Sequence, residues 1–426
     1  MSAMRFKFSL AIAATSVNLS AHAAGFALFE QGASGLGNAY AGASAVAEDA
    51  STVFFNPAGM TYLEGTQILG ALHFIKTNGD FNDHGSVPVA AYQAGGEGGN
   101  LGSLAMIPNL FYKQDLTDTI KFGFGVSTPF GLKTEYNKDW LGRFQGVKSD
   151  LKTVNLNPSI AWRMNDQWSF GFGVSAMWAQ AELTSAANLS PIGQPEAMVN
   201  NKGKDWGFGF NLGTIYQVTD DTRIGVSYRS KVKQHLKGDV TSSFTAFDSI
   251  PSRTLNTDIT ADITLPETFS VSTFTHLDSK WDLLTDITWT RWSQFKTLTI
   301  MRDNGSDADV GTTQEHWNNT LRFSAALNYL YSDKLKLRTG VAYDQEAIDN
   351  NHRTSRIPGD DRIWLSFGAS YKYTEKTKFD VGYAHLFIKD TSIYDDQRAA
   401  APSKGLIAGT YEGSADIFSV QVSHQF

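Results

Sequence analysis

The chain has 426 residues, of which 42% are hydrophobic, 12% aromatic and 19% charged, with a formal net charge of -7 at pH 7. An acidic chain without a basic run argues against nucleic-acid binding. The absence of cysteine excludes disulfides and thiolate metal sites, and 38 glycines against 11 prolines suit many glycine-punctuated strands.

In chain order, Arg5 and Lys7 form a basic start, Phe8 to Leu19 a short apolar run, and Ala21-His22-Ala23 a small-x-small cleavage site. Residues 1–23 therefore read as a secretory signal peptide, cut after Ala23. The apolar run, about 12 residues, is too short to cross ~30 Å of hydrocarbon as a helix. No later stretch approaches ~18 uninterrupted apolar residues, so helical membrane spans are not expected.

Residues 24–62 do not follow a strand pattern. They are rich in Ala and Gly, yet carry Phe26, Leu28, Phe29, Leu36, Tyr40, Val53, Phe54 and Phe55, more apolar content than a disordered tail needs. A segment of this kind ahead of a barrel suits a plug in its lumen. Within it, Asn56-Pro57-Ala58 reads as a turn, because Pro fixes one dihedral and Asn bonds backbone groups readily.

From residue 63 to 426 a period of two dominates. Ile363, Leu365, Phe367 and Tyr371 alternate with Trp364, Ser366, Gly368 and Ser370; Phe418, Val420 and Val422 alternate with Ser419, Gln421 and Ser423. A polar inner face and an apolar outer face invert a soluble core and suit a barrel in lipid. About six short polar turns, such as Asn165-Asp166-Gln167 and Ser332-Asp333-Lys334, alternate with about seven long loops, near 77–102, 132–150, 185–203, 240–256, 301–316, 347–361 and 389–413. This predicts an all-β, transmembrane antiparallel β-barrel of about fourteen strands, with both ends on the short-turn, periplasmic side. Trp168, Trp281, Tyr329, Tyr331, Tyr371 and Tyr373, beside the turns, fit an interfacial girdle. Insertion into a Gram-negative outer membrane, with lipopolysaccharide and phospholipid around the barrel, is the expected setting. A soluble β-sandwich is the alternative.

Several stretches attract functional readings. Pro129-Phe130-Gly131 follows the third expected strand; Pro cannot donate to a ladder and Gly loosens it, so a wall gap is expected there. Trp140, Leu141 and Phe144 in one loop, and Phe244, Phe247 and Ile250 in another, are apolar loop residues suited to capturing a hydrophobic ligand. Arg229, Arg322, Arg338 and Arg362 fall on the inner phase, where one could contact a carboxylate headgroup, although buried charges more often pair with lumen acids such as Asp282, Asp286 and Asp380. The Gly-x-Gly pairs at Gly123, Gly171 and Gly207 lie within strands and lack a dinucleotide context. Asp303, Gly305, Asp307 and Asp309 match no known calcium loop, and no Gly-x-Ser-x-Gly elbow points to a hydrolase. No metal, cofactor or enzymatic activity is expected.

Three stretches carry a family resemblance. The first is Ala24-Gly25-Phe26 with Ser34-Gly35-Leu36-Gly37-Asn38-Ala39-Tyr40, Glu48-Asp49-Ala50 and Asn56-Pro57-Ala58-Gly59. The second is Leu265-Pro266-Glu267 leading to Trp292-Ser293-Gln294-Phe295, and the third is Arg356-Ile357-Pro358-Gly359-Asp360-Asp361-Arg362-Ile363-Trp364. In this order they resemble the FadL family of outer-membrane long-chain fatty acid transporters. The resemblance implies a fourteen-stranded monomeric barrel closed by residues 24–62 as a hatch. It implies capture on the loops, transfer to a site touching Phe26 and Phe29, and sideways exit at a kink in the third strand, without an energy source. Two positions where it implies a basic headgroup partner are held by Gln180 and Asn318, which favours a neutral hydrocarbon or monoaromatic substrate. A receptor barrel for adhesion or phage, with a shut lumen, is a third reading.

Overall fold

The computed structural model describes residues 25–244, 256–303 and 309–426. The expected signal peptide at 1–23, Phe247, Ile250, Gly305 and Asp307 lie outside the described residues.

Twenty strand segments make one closed antiparallel barrel of 14 wall strands. The first two are β1 (Gln67–Asp83) and β2 (Leu104–Asp115). The third is broken into β3 (Ile120–Ser127) and β4 (Gly131–Glu135). Next come β5 (Lys148–Arg163), β6 (Trp168–Ala187) and β7 (Ala197–Gln217). The seventh and eighth are in two pieces each, β8 (Thr222–Arg229) with β9 (Val232–Ser242), and β10 (Thr257–Leu265) with β11 (Thr268–His276). So are the ninth and tenth, β12 (Trp281–Thr290) with β13 (Thr297–Arg302), and β14 (Asp309–Gln314) with β15 (Thr320–Ser332). The wall ends with β16 (Leu335–Asp344), β17 (Arg362–Lys372), the split strand β18 (Thr377–Ile388) and β19 (Thr391–Asp396), and β20 (Leu406–Gln425). Pairing of β20 with β1, from Gln67 opposite Gln425 to Asp83 opposite Gly409, closes the barrel and removes both sheet edges.

The alternation is the one expected for lipid outside and polar groups inside. On β17, Ile363 is 56% exposed while Trp364 is fully buried. On β20, Phe418, Val420 and Val422 face out while Ser419 and Gln421 are buried. The expected turns are in place, for example Leu116 donating to the Ile120 carbonyl and Thr374 to that of Thr377. Trp168, Trp281, Tyr331, Tyr371 and Tyr373 are exposed beside them. The loops are shorter than the sequence suggests. β7 runs for 21 residues and β6 and β20 for 20 each, whereas a tilted strand crosses the hydrocarbon in ~9–11. Beyond the bilayer a strand no longer needs an apolar outer face, so the pattern fades while the hydrogen-bond ladder continues.

Residues 25–62, termed the plug below, pack against the wall strands. They form two short helices, α1 (Ala33–Leu36) and α2 (Thr52–Phe55), and a 3-10 turn at Pro57–Tyr62. The plug backbone approaches the wall where the wall has glycine. A Cβ on Gly340 would lie 2.3 Å from the carbonyl carbon of Asn38, and one on Gly171 would lie 2.3 Å from the nitrogen of Ala58. Gly123 instead makes room for the side chains of Val53 and Met60, so these intrastrand glycines accommodate the plug.

Candidate functional site

The site begins at the break in the third wall strand. β3 pairs with β2 only over Leu110–Asp115, and β4 pairs only with β5. Among the described residues no strand pairs with Leu104–Asn109 on that side, so the wall is open between the outer half of β2 and β4. A gap exposes backbone polar groups that must be satisfied elsewhere. At Thr128–Gly131 the plug supplies three of the partners. Gln31 Nε2 donates to the Thr128 carbonyl at 3.0 Å. The Leu28 N–H donates to the Pro129 carbonyl at 2.8 Å, and the Gly131 N–H to the Phe26 carbonyl at 2.9 Å. The hydroxyl of Thr153 accepts from the Phe130 N–H and donates to its carbonyl. Pro129 has no N–H to satisfy. The break falls between Ser127 and Gly131, and residues 26–28 run along its rim like a short strand.

Two cavities flank this short strand. The one nearer the long loops holds ≈ 80 Å³ of room for a water-sized sphere and is walled mainly by Phe26, Leu132, Leu151, Leu236, Ile263, Phe295, Leu298 and Ile357. The one nearer the short turns holds ≈ 80 Å³ and is lined by Leu28, Phe29, Phe54, Phe55, Pro129 and Phe130, with Arg229 and Arg322 as its cations. Phe26 closes the upper cavity from below. Its ring lies 4.7 Å from Trp292, 5.5 Å from Trp317 and 5.9 Å from Phe295. Gly25 makes this packing possible. Its φ is +62°, and a Cβ there would lie 2.6 Å from Trp317 and 2.7 Å from Trp292.

Asn56, at the C-cap of α2, ties the plug to the wall. Its Nδ2 donates to the carbonyls of Ser44 at 2.7 Å, Thr214 at 3.0 Å and Val226 at 3.4 Å. Its Oδ1 accepts from the Ala58 N–H at 3.1 Å, across Pro57. One buried amide thus links two plug segments with two wall strands.

The four lumen arginines divide. Arg338 pairs with Glu48 of the plug and with Asp380 on β18. Arg362 pairs with Glu346, which also accepts from the Gly25 N–H. These two are thereby committed to protein carboxylates, contrary to a headgroup role, because a buried guanidinium requires a counter-charge. Of the acids expected as partners, Asp380 takes that role, while Asp282 binds His276 and Asp286 accepts three hydroxyls, from Ser270, Ser272 and Thr288. Among the described residues Arg229 and Arg322 have no carboxylate within 4.0 Å. Arg229 donates to the Phe54 carbonyl, and Arg322 donates to the Ala39 carbonyl while lying 4.6 Å over the Phe29 ring.

The expectation of an exposed capture surface at Trp140, Leu141 and Phe144 is corrected. Trp140 is fully buried, stacked on Tyr136 at 3.7 Å, and Leu141 is buried beside it. Phe144 is buried and stacked on Tyr92 at 5.3 Å. The loop after β1 covers the loop after β4, removing this apolar area from water. Phe244 is half-buried just past β9, with its N–H on the Ser242 hydroxyl. Gln180 and Asn318 do not line the upper cavity.

Arg356 and Glu315, which carried no individual role in the sequence, line the upper cavity. Arg356 Nη1 donates to the Lys148 carbonyl at 3.2 Å, the Ser149 hydroxyl at 3.2 Å and the Thr184 carbonyl at 3.4 Å. Burial lowers its pKa to about 10, against the pull of Glu315 and Tyr136. Burial pushes the Glu315 carboxyl up to about 7, opposed by the hydrogen bond from Trp317 Nε1 and by Arg356. Arg356 does stand in the third family-like stretch, but only the fold brings it from its loop to β5 and β6.

Residues 14–426 match the family described as "Outer membrane protein transport protein (OMPP1/FadL/TodX)". The chain is 30% identical to a long-chain fatty acid transport protein of Escherichia coli O6:H1, over 99% of this chain and 98% of the relative. It is likewise 30% identical to outer membrane protein P1 of Haemophilus influenzae, over 99% and 100%. A crystal structure of a Pseudomonas aeruginosa FadL homologue superposes with a TM-score of 0.88 at 23% identity, covering 95% of this chain and all of the other. The Pseudomonas putida toluene transporter TodX superposes with a TM-score of 0.67 at 17% identity, covering 94% and 99%. The family match over residues 14–426 and full-length identity at this level, on a closed barrel, place the chain in the FadL/TodX family of outer-membrane transport proteins.

Proposed function

We propose that this barrel takes up long-chain fatty acids by passive diffusion, with residues 24–62 as the hatch of a chain cut after Ala23. The observation that carries the reading is the position of Phe26, which lines a mainly apolar cavity while its carbonyl holds Gly131 at the wall gap. A ligand seated above Phe26 presses on the same short strand that covers the gap. Displacing residues 26–28 joins the upper cavity to the lower one, lined by Phe29 and Pro129, and uncovers a sideways route into the membrane. Amphiphiles follow this route because it offers apolar walls that a water-filled pore lacks. The names of the full-length relatives support fatty acids as the cargo. Asn56, Pro57 and Ala58 hold the rest of the hatch still while its first residues move.

The protein acts as a monomer inserted by the outer-membrane barrel machinery, with lipopolysaccharide outside it and phospholipid within. Oleate uptake by cells lacking their own transporter tests the reading. Expression of this chain restores uptake, and Phe26→Ala changes its rate. Toluene binding without oleate binding would move the assignment to neutral aromatics, the cargo that the name of TodX records. Binding of neither would leave a receptor barrel.

A further inference from the structure

We propose that Arg356 is the specificity residue of the upper cavity: it takes the carboxylate of an acyl chain, so the barrel prefers fatty acids over neutral chains of equal length. This assignment rests on the reading of that cavity as the ligand site.

Arg356 differs from its neighbours in what it lacks. Arg353 pairs with Asp360, Arg362 with Glu346 and Arg338 with Glu48 and Asp380. Arg356 has no carboxylate within 4.0 Å among the described residues, and all its hydrogen bonds run from Nη1. Nε and Nη2 remain for a ligand. The position is built around the side chain. A Cβ on Gly146 would lie 3.2 Å from both Cγ and Cζ of Arg356, so glycine leaves the space that the guanidinium occupies. Three acceptors on β5 and β6 fix the group against rotation.

The other cation lining the cavity, Lys202, is not buried with it. Asp150 is flanked by Lys148 and Lys152, and Glu315 is tied to Trp317. A guanidinium at the edge of an apolar cavity without its own acid carries an unmet electrostatic cost. A carboxylate offers charge-assisted, two-point hydrogen bonding to the guanidinium. A hydrocarbon or an alcohol leaves the charge uncompensated, so discrimination lies at the headgroup and not along the chain.

The test compares oleate with oleyl alcohol, which has the same chain and a neutral head, on the full-length detergent-purified barrel. Wild type is expected to bind oleate the more tightly. Arg356→Met is expected to weaken oleate by at least about tenfold while leaving oleyl alcohol within about twofold. Arg356→Lys keeps the charge but not the two-point geometry, and is expected to fall between them. Should Arg356→Met not fold, the Lys variant and the wild-type preference decide. Equal loss of both ligands in the variants would reduce Arg356 to a structural support and overturn the assignment, as would unchanged oleate binding. Wild type binding oleyl alcohol as tightly as oleate would overturn it too, leaving the cavity as a ligand site. Wild type binding neither would remove the cavity reading itself.

Discussion

Ala27 of the plug pairs antiparallel with Phe130 across the break in the third wall strand. The contact is flanked by hydrogen bonds from Leu28 to Pro129 and from Gly131 to Phe26. It makes the lateral gap and the floor of the upper cavity parts of one hydrogen-bonded unit.

That pairing can be locked. Facing residues of an antiparallel pair have Cα atoms about 4.5–5.5 Å apart, within the range a disulfide tolerates. The chain has no cysteine, so Ala27→Cys with Phe130→Cys creates its sole possible bridge. Oxidised, the variant is expected to lose oleate uptake by at least about tenfold; reduction restores it. Wild-type uptake with the cross-link verified by mass spectrometry would mean that residues 26–28 need not move.

Asn56→Ala removes the amide shared by Ser44, Thr214 and Val226. Leaving those buried carbonyls without this donor costs about 1–3 kcal/mol. The loss falls on the plug, so hydrogen exchange of the backbone at Thr52–Tyr62 accelerates while the barrel's unfolding midpoint holds. Unchanged exchange in that segment would show that the glycine seats suffice to hold it.

Gly340→Ala inserts a methyl 2.3 Å from the carbonyl carbon of Asn38, whereas Gly70→Ala meets nothing within 4 Å. The first is expected to destabilise plug seating by about 1–3 kcal/mol, since backbone gives way less easily than a side chain. Limited proteolysis reads this as faster cleavage within residues 25–62 of an otherwise intact barrel. Equal cleavage of the two variants would contradict the close approach.

Glu315 gives the upper cavity a pH response. Burial raises its pKa from 4.5 to about 7. The stability from burying it uncharged is fully present below pH 4.5 and is lost as pH rises through about 7. Above that value its negative charge also competes with a ligand carboxylate for Arg356; Asp395 lies near enough to add to it. Oleate affinity is expected to fall on the order of tenfold from pH 6 to pH 8, with little change for oleyl alcohol. Glu315→Gln should flatten the oleate profile, and a profile identical to wild type would exclude Glu315 as its source.

Much of the fold is legible in the sequence because the bilayer imposes a local rule. Every second residue from Ile363 to Tyr371 meets lipid, so apolar and polar residues must alternate whatever the rest of the chain does. The turns are legible for a similar reason, since short runs such as Asn165-Asp166-Gln167 carry their own hydrogen-bonding chemistry. The loops are less legible. Trp140 and Phe144 resemble exposed capture residues until Tyr136 and Tyr92 are seen stacked on them.

The sequence by itself determined the barrel and its strand number, because periodicity and turn chemistry act over a few neighbouring residues. The tertiary structure alone decided which arginines are already paired. Arg338 meets Glu48 from 290 positions away, and Arg356 reaches Lys148 from 208. Whether a buried charge is neutralised by the protein or left for a ligand depends on such distant groups, and no local pattern encodes it.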